Sequence, residues 1–223
     1  MEIKTSIEEI QSDIKKYSPN PERVRMIAVT KYVDCEIIKE VLKNGVNLLG
    51  ENKVQVLQEK REKLSSEIYD IKWHFIGNLQ KNKVKYIADY IDMIHSVNKL
   101  SLAEEISKRA FQNERVIDVL LEINIFGEES KEGYSLEELL QDLPKLLQLK
   151  NINICGLMTM APFTEDTEIQ RGVFKTLREI KDDLNEKYFH GQLKELSMGM
   201  SNDYKIALEE GATLIRVGSK LFN

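Results

Sequence analysis

A lysine closes an apolar run near the start of this chain. Arg25-Met-Ile-Ala-Val-Thr30 reads as a strand, and Lys31 follows it directly. A lysine amine is a nucleophile only when it has lost its proton, and apolar surroundings favour that neutral form. An amine so placed can form an imine with an aldehyde. The other reading is a lysine whose ammonium snorkels to solvent at the rim of the fold. Two segments near the C-terminus carry a complementary chemistry: Ser197-Met198-Gly199-Met200-Ser201 and Arg216-Val217-Gly218-Ser219. Their glycines permit close main-chain approach, and the serines add hydroxyl and amide donors. A helix expected over Asn202–Glu210 would turn its free N–H groups toward an anion. Plain tight turns are the alternative. Taken together, the amine and the two cradles suit a phosphorylated aldehyde held covalently.

Other residues gather around this pair. Arg216 precedes Gly218 by two positions, so strand alternation puts both on one face and points the guanidinium into the site. An ion pair with a neighbouring glutamate is its other reading. His74 lies inside Trp73-His-Phe-Ile-Gly77, where a core or loop-anchoring role competes with a catalytic one. Met158 and Met160 read as packing, or as contacts to a flat ring. With 3 histidines and no clustered carboxylates, the spacing predicts neither a metal site nor a Ser/His/Asp arrangement.

These residues need elements to hold them. Strands are expected at Arg25–Thr30, Val46–Leu49, Trp73–Ile76, Met93–Ser96, Val116–Ile123, Ile152–Met158, Glu195–Met198 and Thr213–Val217. They are short, rich in Ile, Val and Leu, and lack polar alternation, which suits strands buried on both faces. Helical patterns lie between them: Glu36–Asn44, Asn98–Gln112 with Asn98 as N-cap, Ser135–Leu147 opening on a capping box, Asp166–Lys187 and Asn202–Glu210. Eight βα units in a chain of this length favour a (β/α)8 TIM barrel over an open sheet. Only Gly218–Asn223 follow the last strand, too few for a regular outer helix, and an extra N-terminal helix, Ser6–Tyr17, is expected to cover the gap. In such a barrel reactive groups sit at the C-terminal strand ends. Those ends here carry Lys31, Asn52, His74 and Gly77, then His95 to Asn98, then Asn124 with a loop bearing Lys131, then Met158 to Met160 and the two glycine-serine segments.

Composition narrows the function. The chain has 223 residues, 42% hydrophobic and 31% charged, enough for one domain, 1–223, with a full core. A net charge of −5, with Lys and Arg interspersed among Glu, does not form the basic stripe that nucleic acid needs. No apolar stretch reaches membrane-spanning length, and the charged N-terminus does not read as a signal peptide. Cys35 and Cys155 are far apart and read as reduced thiols of a cytoplasmic protein.

Several stretches together resemble a family of pyridoxal 5′-phosphate (PLP) homeostasis proteins, similar to the N-terminal barrel of alanine racemase. The marks are Ala28-Val-Thr-Lys31, Gly50-Glu-Asn52, Trp73 through Lys83, His95-Ser-Val97, Gly156-Leu-Met-Thr-Met160, Leu196 through Ser201 and Ile215 through Ser219. The resemblance implies a fold-type III PLP-binding barrel in which Lys31 holds PLP as a Schiff base. It implies that Met198, Gly199, Ser201, Gly218 and Ser219 surround the phosphate, that Arg216 faces the pyridine nitrogen, and that Asn52 lies beside the cofactor. It leaves His74 and the Gln80–Lys83 loop without a role. An arginine cannot accept a proton from the ring nitrogen, and no residues remain for the second domain that supplies a catalytic tyrosine in alanine racemase. Tyr32 and Tyr134 are the nearest substitutes by position. The favoured expectation is therefore a monomeric PLP carrier that balances vitamin B6 and amino/keto-acid pools, with amino acids and PLP-dependent apoenzymes as partners. A weak amino-acid racemase and a phosphosugar aldolase are the rivals.

Overall fold

The computed structural model describes residues 2–65, 70–127 and 132–222. Eight strands, all paired in parallel, close into a barrel in chain order. They are β1 (Arg25–Val29), β2 (Leu48–Glu51), β3 (Lys72–Phe75), β4 (Met93–Val97), β5 (Ile117–Glu122), β6 (Ile152–Met158), β7 (Glu195–Met200) and β8 (Leu214–Val217). The seam is the β1–β8 ladder, Arg25↔Leu214 through Ala28↔Val217. Around them run α1 (Ile3–Tyr17), α2 (Cys35–Lys43), α3 (Val54–Lys63), α4 (Leu100–Gln112), α5 (Leu136–Leu146), α6 (Thr167–Leu184), α7 (Tyr204–Glu209) and α8 (Ser219–Phe222).

Two apolar layers result. Each parallel strand sends alternate residues inward and outward, and both sets must leave water. The outward set packs beneath the helices, as with Leu49, Phe75, Ile94, Leu121 and Met198. The inward set forms a plug of Ile27, Met93, Leu120, Met158 and Leu214, with Leu48 and Cys155 against it. That plug fills the middle of the barrel, so anything binding here approaches from an end.

The capping box before α5 forms as the sequence predicts, Ser135 Oγ accepting from Glu138 N–H at 3.2 Å and Glu138 accepting from Ser135 N–H at 3.0 Å. The N-terminal helix also covers the seam. It packs on α7 and α8, Lys220 meeting Glu9 at 2.6 Å and Lys205 meeting Asp13 at 3.1 Å. Other expectations need correction. β2 runs Leu48–Glu51, two residues later than read, because Val46 packs at a helix end rather than in the ladder. In the third unit, a 3-10 helix at Lys81–Tyr86 stands where an α-helix would be. Asn98 does not cap α4; its amide donates to Glu132 across the mouth at 2.6 Å. α7 is short, opening at Tyr204 behind Asp203. Among the described residues no helix is long and apolar enough to cross a membrane.

Candidate functional site at the barrel mouth

The C-terminal strand ends share one face of the barrel; Lys31, Asn52, Gly77, Ser201, Gly218 and Ser219 follow strands there, while His74, Met198, Gly199 and Arg216 lie within them. β1 stops at Val29. The Val33 N–H then donates to the Thr30 carbonyl at 3.1 Å, closing a turn with Lys31 and Tyr32 at its tip. This turn lifts Lys31 out of the sheet. Its side chain is exposed, with the ammonium 4.9 Å from the centre of the Tyr32 ring. The apolar surroundings expected for it are absent, because the strand ends two residues before it does. β8 runs alongside, and a side-chain carbon built on Gly218 would lie 3.4 Å from Val29 Cβ. The amine-bearing turn and the Gly218-Ser219 segment are therefore neighbours across the seam.

The serine-glycine segments meet as expected but partly satisfy each other. Ser201 Oγ accepts from the N–H groups of Gly218 and Lys220, at 3.1 and 3.2 Å. Ser219, between them, is exposed. Gly199 adopts φ +88°, and a side-chain carbon there would meet Ala207 at 2.6 Å, so the β7 loop is pressed onto α7. Met198 points the other way, fully buried in the outer core, and reaches the mouth only through its backbone. The helix-dipole expectation changes too. The helix opens later than read, at Tyr204, and Asp203 ahead of it is buried, accepting from the Met200 N–H at 2.5 Å without capping the helix, so an acid stands beside that helix start.

Arg216 does point inward. It is 4% exposed, donating to Ser197 Oγ at 2.5 Å and to the Thr159 carbonyl at 3.0 Å. Among the described residues no glutamate forms an ion pair with it. Burial pulls its pKa down to about 10, while the nearby Asp203 and Glu122 charges hold it up, so it remains a cation at neutral pH. Behind it stand both inward histidines. His95 Nδ1 lies 2.8 Å from Ser197 Oγ, and His95 Nε2 lies 2.9 Å from His74 Nδ1. Arg216 can only donate; the assignment that spends every remaining proton has Ser197 donate to His95 and His95 to His74. Burial drives the His95 pKa well below its usual value, with His74 and Arg216 adding to the effect. Burial and the Arg25 charge take His74 down to about 3. Both rings are neutral, so the sequence's open question over His74 resolves as a buried link in this chain.

Sequence reading placed Thr159 at a strand end without a role and missed Glu122. Glu122 closes β5, 4% exposed, its pKa pushed up to about 7 by burial against the opposing pull of Arg216. Its signal was an acid two positions after Leu120, on the inward face of an otherwise apolar strand. Asn52 is half-buried, and Gly77 is pressed against it, where a side-chain carbon would sit 2.3 Å from the Asn52 carbonyl oxygen. Tyr134 turns outward, its hydroxyl donating to Asp142 at 3.3 Å, and Tyr32 is 88% exposed. Lys131 lies outside the described residues.

An eight-stranded parallel barrel with a lysine turn, two serine-glycine segments and a buried inward arginine at one mouth defines the class of the racemase-type barrel. The chain belongs to the family described as alanine racemase, N-terminal domain, whose model matches residues 7–223. Within that class it is similar to proteins named pyridoxal phosphate homeostasis protein. The one from Aquifex aeolicus is 42% identical over 216 residues, 97% of this chain and 93% of that protein. Among solved structures, PipY of Synechococcus elongatus with PLP bound is 33% identical, superposing with a TM-score of 0.91 over 99% of this chain and 100% of its own. Alanine racemase of Clostridium difficile shares the fold, with a TM-score of 0.72 at 16% identity; this chain spans 56% of it.

Proposed function

We propose that this chain binds PLP at the C-terminal mouth of the barrel and serves intracellular homeostasis of vitamin B6 and of amino and keto acids. Lys31 would be the covalent attachment point for the aldehyde. The Ser201, Gly218 and Ser219 hydroxyls and amides would hold the phosphate, with Gly199 and the Met198 backbone in the same loop, and Asn52 would lie beside the ring. The donor set fits this ligand: an amine, hydroxyls and amides on neighbouring strand ends, and one fixed cation within the barrel. Its relatives' names and the PLP bound to PipY support the reading.

The observation that carries the functional choice is Arg216. When bound, PLP supplies an electron-accepting ring that is strongest with its nitrogen protonated. Arg216, charged and locked by Ser197 and Thr159, can only donate to that nitrogen. Such a site retains its cofactor while doing little to stabilise carbanions. We further propose that the protein works as a monomer, exchanging PLP with amino acids and PLP-dependent apoenzymes.

The test is a visible spectrum recorded on a size-exclusion column. The expected result is a visible band eluting with a 25.8 kDa species, abolished by borohydride, with the reduced adduct mapped to Lys31. Lys31→Ala should lose the band. A colourless parent protein after PLP incubation, or an adduct mapped to another lysine, would sink the proposal.

A further inference from the structure

One buried cluster lies directly behind the Lys31 turn. α3 shows the core Val54, Leu57 and then Lys60, a lysine where the helical period calls for an apolar residue. Lys60 is 8% exposed and Glu51 fully buried. The Lys60 ammonium donates to Glu51 Oε1 at 2.7 Å and to the Thr30 carbonyl at 2.6 Å. The Thr30 hydroxyl donates to the same Glu51 oxygen at 2.7 Å. That Thr30 carbonyl is the one that closes the turn by accepting from Val33 N–H. The ion pair thus grips both the side chain and the main chain of the residue immediately before Lys31. The second oxygen, Glu51 Oε2, is buried with no hydrogen-bond partner among the described residues. A buried carboxylate with one oxygen unpaired is a poor stabiliser, and an apolar pair would hold α3 on the sheet as well.

We infer that Glu51 and Lys60 are positioning residues that set the Lys31 turn for covalent attachment of PLP. Among the described residues the exposed Lys31 side chain makes no hydrogen bond, and the ring it approaches, Tyr32, sits on the same turn, so its aim depends on the backbone that carries both. Anchoring the Thr30 carbonyl to a buried cation fixes the peptide leading into Lys31. This inference rests on the proposed attachment of PLP at Lys31.

The test is a two-by-two comparison in the full chain. The charge-matched pair Glu51→Gln with Lys60→Met is made with Lys31 present and with Lys31→Ala. The rate of attachment is followed by the visible band after PLP addition and by borohydride trapping. Non-covalent PLP affinity is measured by equilibrium dialysis in the Lys31→Ala background. Attachment should slow at least about tenfold, as misplacement of a reacting group does, while dialysis affinity without Lys31 stays unchanged. Thr30→Val, nearly isosteric and keeping the ion pair, should give a smaller slowing and stands in should the paired variant fail to fold. Unaltered rates in the variants, with a normal adduct in the parent, would overturn the positioning role alone. A loss of dialysis affinity in the Lys31→Ala background as large as the slowing of attachment would reduce the cluster to a structural one and also overturn it. A parent with no Lys31 adduct would overturn this inference together with the proposed attachment.

Discussion

His74 and His95 show how burial decides what a residue can do. Each is a base that the unfolded chain protonates below its usual pKa of 6.5, while the folded protein refuses the proton until far lower pH. Protons therefore favour the unfolded state as pH falls from 6.5 toward about 3 for His74, and stability drops by about 1.4 kcal/mol per pH unit for each ring. Glu122 opposes this. Its folded pKa of about 7 exceeds its ordinary 4.5, so between those values the folded state holds a proton that the unfolded chain has released. Stability then falls as pH rises through that window. From pH 4.5 to 6.5 the two histidines therefore favour folding as pH rises, and Glu122 pulls the other way, as do the raised Asp92 and Asp203. Glu122→Gln removes its opposing contribution, and urea titrations should show stability rising more steeply with pH across this window, by up to about 1.4 kcal/mol per unit. An unchanged slope would mean that Glu122 ionises normally in the fold.

At the scale of elements, the β7–α7 connection and α6 make opposite demands on glycine. Gly199 combines a left-handed backbone with contact to Ala207 and the Tyr204 Cα, 2.6 and 2.9 Å from a built side-chain carbon. Gly199→Ala should cost about 2–4 kcal/mol from strain and overpacking together, and should loosen the loop that carries Ser201. Gly172 lies within α6 with nothing near its built carbon. There Gly172→Ala should add about 0.5–1 kcal/mol through helix propensity and a less free unfolded chain. Chemical denaturation of the two variants checks both signs.

The whole molecule sets its chemistry by what it brings to the mouth. A racemase needs a second acid or base opposite the lysine. Tyr134 spends its hydroxyl on Asp142 in α5, and Tyr32 is 88% exposed, so neither is held across the site. Incubated with L-alanine or L-serine, the PLP-loaded protein should form no sustained excess of the D-enantiomer on chiral chromatography. Continuous racemisation with turnover would contradict a holding role and restore the enzyme reading.

Periodicity and punctuation were enough to read eight strands, the covering helix and the inward face of β8, because alternation and helical spacing are local properties of the chain. The two glycine-serine segments at the mouth were legible for the same reason: glycine and serine announce close backbone approach wherever they stand. What the residue order could not show was which side chains satisfy one another. That Ser201 occupies the Gly218 amide, that His74 ends a chain running to Arg216, and that Lys31 stands exposed on a turn all depend on strands meeting across the barrel. Closure creates those encounters, and burial together with the neighbouring charges determines which groups keep their charge once they meet.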